Sequence, residues 1–121
     1  MPRPVLDETR LHPAIRDKVA NLNADLIAEV GAAIAANAVL VVGMKGNPFC
    51  RRACKALQAA GVAFEYLEYG SYLNLWRKRN ALKMWSGWPT FPMVFVKGTL
   101  IGGASDLDAL IASGELGRLT G

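Results

Sequence analysis

The stretch Val41–Leu57, VVGMKGNPFCRRACKAL, decides the fold. It begins inside the apolar, mostly β-branched run Val39 to Met44, which reads as a strand buried on both faces. Lys45-Gly46-Asn47-Pro48 follows as a turn signal, and Pro48 suits the first turn of a helix. Phe49, Ala53, Ala56, Leu57 and Ala60 then recur at helical spacing, and Gly61 stands where such a helix stops. The local order is strand, turn, helix.

Toward the C-terminus, Ala63 to Tyr69 alternates apolar and acidic residues, a strand pattern, and Gly70-Ser71 breaks it. Leu73 to Trp85 mixes apolar and basic residues and reads as a helix. SGWPTFP (86–92) is a rigid connector, because its two prolines forbid helix. Met93 to Val96 is a short strand, Lys97-Gly98 a two-residue hairpin turn and Thr99 to Ile101 the returning strand. Gly102-Gly103 ends it, and Ser105 or Asp106 caps a last helix over about Leu107 to Ser113. Toward the N-terminus, Ile15, Val19, Leu22, Leu26, Val30 and Ile34 form a helical stripe behind Pro13. Asn21 and Asn23 interrupt it, and asparagine is a better cap than interior residue, so two helices joined near Asn23 fit as well as one. Residues 1–12 carry two prolines and no periodicity, an irregular arm.

The first two strands with their crossover helix imply a parallel βαβ unit, and the last two an antiparallel hairpin. The expected architecture is α/β: a four-stranded mixed sheet flanked by helices, with an extra N-terminal helical segment. A chain of 121 residues, 52% apolar and 20% charged, fits one domain with a real core and excludes a disordered chain. No uninterrupted apolar run approaches the roughly 20 residues of a membrane-spanning helix. The start, MPRPVLDETRLH, has no secretory apolar core. Two cysteines make no disulfide framework and one histidine no histidine-rich metal site. A reducing cytoplasmic location is the expectation. Between Lys45 and Lys97 nine bases face two acids, while the rest of the chain holds five bases and eight acids. A basic middle favours an anionic partner or is a solvated face.

This element order resembles the thioredoxin fold, and three motifs resemble glutaredoxins: VVGMKGNPFCRRACKAL, WPTFP and FVKGTLIGGASDL. The Met-Lys-Gly and Trp-Pro-Thr letters are closer to monothiol glutaredoxins. The resemblance covers about residues 24–119. It implies an N-terminal arm and helical extension over 1–22 and a glutaredoxin-like domain over 23–121. It also implies a cis bond before Pro92.

The departure from the family falls on its working residue. Dithiol members carry C-P-Y/F-C where this chain has Asn47-Pro48-Phe49-Cys50. The resemblance therefore places Asn47 on the nucleophile's position and Cys50 on the resolving one. Setting Cys50 on the first position gives C-R-R-A and loses the proline register. Asparagine cannot attack a disulfide or ligate iron as a thiolate does. Asn47 is either a plain helix cap or an amide that donates to a bound thiol, as some glutathione transferases use it. Cys50 is either an exposed thiol lowered by the helix dipole, with help from Arg51 and Arg52, or a buried small side chain. Cys54, four residues on, is poorly aimed for a disulfide, and two thiols make a weak metal signal.

Glutathione is the implied cofactor. By resemblance, Lys45 and Arg79 meet its glycine-end carboxylate, and Phe91 before cis-Pro92 pairs its backbone with the tripeptide. The helix start near Ala104 and Ser105 holds the γ-glutamyl carboxylate, and Ser105 or Asp106 takes the ammonium. The alternative for Lys45 is a solvated lysine, and for Pro92 a requirement of the fold alone. The expected function is glutathione binding, or weak transferase activity through Asn47, with little or no disulfide reductase activity. The alternatives are a monothiol thiol-disulfide oxidoreductase using Cys50, and an iron–sulfur carrier lacking its thiolate at Asn47. A thiol-bearing protein is a further partner. Trp76, Trp85 and Trp88 beside Arg77-Lys78-Arg79 fit core packing and a basic helix face better than a nucleic-acid grip.

Overall fold

The computed structural model describes residues 3–71, 73 and 75–120. Two helices, α1 (Pro13–Ala20) and α2 (Ala24–Ala36), precede strand β1 (Val39–Gly43). Helix α3 (Pro48–Ala59), strand β2 (Glu65–Glu68), helix α4 (Trp76–Ser86), strands β3 (Met93–Val96) and β4 (Thr99–Gly102), and helices α5 (Ala104–Ala112) and α6 (Glu115–Thr120) follow. The sheet runs β2-β1-β3-β4. β1 and β2 are parallel across α3, whereas β3 is antiparallel to both β1 and β4.

Strand pleat sorts the core into two layers. Leu40, Val42, Met93 and Phe95 pack with Leu26 and Val30 of α2 and Leu82 of α4. Val39, Val41, Val94 and Val96 face the other way, onto Ala53 and Leu57 of α3 and onto Ala104, Leu107 and Leu116. All five β1 residues are buried, which is why that segment lacks alternation.

The joint near Asn23 is real: its backbone is left-handed, at φ 49°, although its side chain makes no cap hydrogen bond. Pro13–Ala36 is long and apolar enough in composition to cross a membrane. The break divides it, and Leu26 and Val30 bury against the sheet. The turn at Lys97-Gly98 is the expected hairpin, with φ 50° and 83°.

Four boundaries differ from the sequence reading. The helix expected over Leu73 to Trp85 starts at Trp76, after a left-handed Leu75, and closes on the left-handed Gly87; Asn74 lies outside the described residues. The last expected helix starts earlier, at Ala104, because the cap is Gly103 and Asp106 acts backward from the third helical position. A further helix, α6, follows Gly114, whose φ of 76° turns the chain. The arm expected to be irregular holds a single turn, Glu8–Arg10, capped by Asp7.

Candidate functional site

The site is built at the ends of β1, β2 and β3, where α3 and α5 begin. Asn47 caps α3: its Oδ1 accepts from the N–H groups of Phe49 (2.8 Å) and Cys50 (3.2 Å). Pro48 needs no donor there. Asn47 is 7% exposed. Capping engages the oxygen of its amide and leaves Nδ2, the donor end, for other use.

Cys50 is 1% exposed. Its sulfur approaches the backbone of Met44 and the Tyr66 hydroxyl. Burial pushes its pKa up from the ordinary thiol value. The exposed, dipole-lowered thiol considered from sequence is not what forms here, because the first turn of α3 turns residue 50 into the sheet. Gly43 makes room for it. A Cβ at that position would stand 2.7 Å from Cys50 Sγ and 2.9 Å from the Tyr66 ring. Cys54 is half-buried, and burial raises its pKa as well. Phe49, read as an inward helical position, is 54% exposed at the mouth of the turn.

Lys45 is exposed, and its N–H donates to the Gly70 carbonyl at 2.7 Å. Arg79 is 7% exposed and its Nη1 donates to the neighbouring Tyr69 carbonyl at 3.2 Å. The main chain of Lys45 and the guanidinium of Arg79 are therefore both tied to one short segment after β2. Arg79 spends part of its guanidinium on shaping that segment, so Lys45 is the cation of the pair that faces solvent.

The Phe91–Pro92 bond is cis, and both residues are buried. Lys83 Nζ lies 5.8 Å from the centre of the Phe91 ring. The Pro92 carbonyl comes within 3.4 Å of where a Cβ on Gly103 would stand, and the Trp88 indole nitrogen within 3.7 Å. That indole N–H is buried with no hydrogen-bond partner among the described residues. Asp106 Oδ2 accepts from the Gly103 N–H at 3.0 Å. Gly103 offers no side-chain cap, and among the described residues the first N–H groups of α5, at Ala104 and Ser105, have no side-chain acceptor. Ser105 and Asp106 are exposed. Sequence reasoning missed Tyr66 and Gly43 and read Trp88 as a core tryptophan, without its place beside Gly103. A glycine at the end of an otherwise β-branched strand is a recognised mark of close approach and could have flagged Gly43.

Among the described residues, no three His, Cys, Asp or Glu side chains gather as a metal site. The arrangement offers a capped helix start without a thiolate, a solvated lysine, a cis-proline and a second helix N-terminus.

A family model described as glutaredoxin matches residues 39–101. A glutaredoxin-like protein of Dictyostelium discoideum is 46% identical over 102 residues, spanning 84% of this chain and 83% of its own length. A probable monothiol glutaredoxin of Legionella pneumophila is 38% identical over 79 residues, 60% of this chain and 85% of that protein. Among solved structures, a wheat glutaredoxin superposes with TM-score 0.69 at 29% identity, covering 82% of this chain and 94% of its own. A buckwheat glutaredoxin–glutathione complex superposes with TM-score 0.72, covering 83% and 91%; at 20% identity this likeness concerns the fold. Sheet order, cis-proline and sequence identity agree, and the chain belongs to the glutaredoxin family.

Proposed function

We propose that this protein binds glutathione and does not use it to reduce disulfides at an appreciable rate. The observation that carries the reading is the occupancy of the helix start. Asn47 caps α3 where members with C-P-Y/F-C carry the attacking thiol, and Cys50 is buried beneath it. Thiol-disulfide exchange needs an accessible thiolate, and both cysteines have raised pKa values. The same burial argues against Cys50 as the nucleophile of a monothiol enzyme. Without a thiolate at Asn47 the iron–sulfur reading loses its protein ligand.

The binding half rests on features independent of that thiol. Lys45 supplies a cation for the glycine-end carboxylate, with Arg79 fixing the loop beside it. The backbone of the cis Phe91–Pro92 unit, just ahead of β3, is the partner for β-type pairing. The first N–H groups of α5 take the γ-glutamyl carboxylate, and the second oxygen of Asp106, with Ser105 beside it, faces the ammonium. The role proposed for Asn47 Nδ2 is donation to the ligand's sulfur, not attack on it.

Calorimetric titration with glutathione tests the reading. The expected result is saturable heat for the native chain and clearly weaker binding in K45A. No heat at millimolar glutathione would overturn it.

A further inference from the structure

A cavity of about 400 Å³ lies between α3 and the edge strand β2, away from the cis-proline. Met44, Cys50 and Cys54 line it, so it gathers both cysteines of the chain and one of its methionines. Lys45, Arg51 and Lys55 line it too, and all three are exposed. Glu68 is its one acidic lining residue, and it accepts a hydrogen bond from the Tyr66 hydroxyl at 3.2 Å.

Cys50 and Cys54 stand one turn apart on the same helix face. Residues spaced i, i+4 have Cβ atoms about 5–6 Å apart. A disulfide needs about 3.5–4.5 Å, so the pair does not close on itself, and both thiols are free. The wider gap suits one ion held between two sulfurs. Zinc needs about four ligands, and no third His, Cys, Asp or Glu joins the pair among the described residues. Soft thiolate and thioether donors with low coordination number select monovalent copper and its congener silver.

We infer that Cys50 and Cys54 form a two-coordinate site for a thiophilic monovalent ion, Cu(I) or Ag(I), with Met44 beside it. Loading forms two metal–sulfur bonds and breaks two S–H bonds. Two thiols and one monovalent cation give a dithiolate complex of charge −1 and release two protons to solvent. No oxidant or reductant is consumed. Lys45, Arg51 and Lys55 surround that anion, outnumbering Glu68. The half-buried Cys54 is the entry side, and the buried Cys50 holds the ion away from water.

The test is anaerobic titration of the reduced full chain with Cu(I), in competition with bicinchoninate and in buffer free of glutathione. The expected result is one ion bound per chain with about two protons released, and loss of competition in C54S. A chain that fails to compete, or a C54S variant that competes as well as the native one, overturns the site. Alkylation of the native chain read by mass spectrometry needs no variant. One equivalent of Cu(I) is expected to protect both cysteines, and unchanged labelling of Cys54 overturns the inference. Glutathione titration of the ion-free protein fails or succeeds independently of either result.

Discussion

Asn47 Oδ1 accepts a hydrogen bond from the backbone N–H of Cys50 at 3.2 Å. One bond thus joins the residue that opens α3 to the first of the helix's two cysteines. It fixes the start of α3 so that the sulfur of residue 50 turns inward, toward Gly43 and Tyr66, rather than toward the cis-proline.

Removing that cap costs stability. N47A leaves the N–H groups of Phe49 and Cys50 without their acceptor, and loss of such a cap costs about 0.5–2 kcal/mol. Denaturant unfolding is expected to show a lowered midpoint for N47A and a near-native one for N47D. An unchanged midpoint in N47A would mean the cap is not a stabilising contact.

The cysteines are expected to react slowly and the fold to weaken in alkali. The folded pKa of Cys50 lies above its ordinary value of 9.0, chiefly through burial, and Cys54 shifts the same way. A raised acid binds its proton more tightly when folded. Its contribution is therefore complete below pH 9 and is lost as pH rises through the folded value. Burial shifts Tyr66 and Tyr69 in the same direction. Stability measured from pH 7 to 11 is expected to decline above about 9, and iodoacetamide at pH 7.5 to label Cys54 before Cys50. Faster labelling of Cys50 than of a small model thiol would contradict this.

Gly43 is expected to resist substitution. In G43A the new methyl meets Cys50 Sγ at 2.7 Å and Tyr66 at 2.9 Å. Overpacking of this kind costs about 1–3 kcal/mol. The double variant G43A/C50A is expected to recover part of the loss, because contacting residues couple. Additive losses in the cycle would show that the two positions do not touch.

Much of the fold was legible because its signals are local. The β-branched run of β1, the Asn-Pro start of α3 and the Lys97-Gly98 turn each carry their own stereochemistry. The start of α5 was misplaced because two side chains competed for the cap. Ser105 and Asp106 are good caps in isolation, yet Asp106 reaches back to the Gly103 N–H and Ser105 falls inside the helix. The motifs placed Asn47 at the helix start and a cis bond before Pro92, and both stand there. Burial of Arg79 onto the Tyr69 carbonyl was not legible, since nothing in Arg77-Lys78-Arg79 says which of three cations turns inward. The packing of Tyr66 over Cys50 depends on the register of β2 against β1, Val41 with Tyr66, which no single segment encodes.

Asp106 is expected to matter for stability. D106A removes the acceptor of the Gly103 N–H and is expected to cost about 1 kcal/mol in denaturant unfolding, the ordinary scale for a lost cap. D106N, which keeps an acceptor, is expected to lose less. Equal losses in the two variants would contradict the capping role.

Binding without attack is tested most directly by the rate of glutathione-linked reduction of a small mixed disulfide. The native chain is expected to match the protein-free rate, and N47C to exceed it by placing a thiol at the helix start. Turnover by the native chain that C50S abolishes would contradict the account.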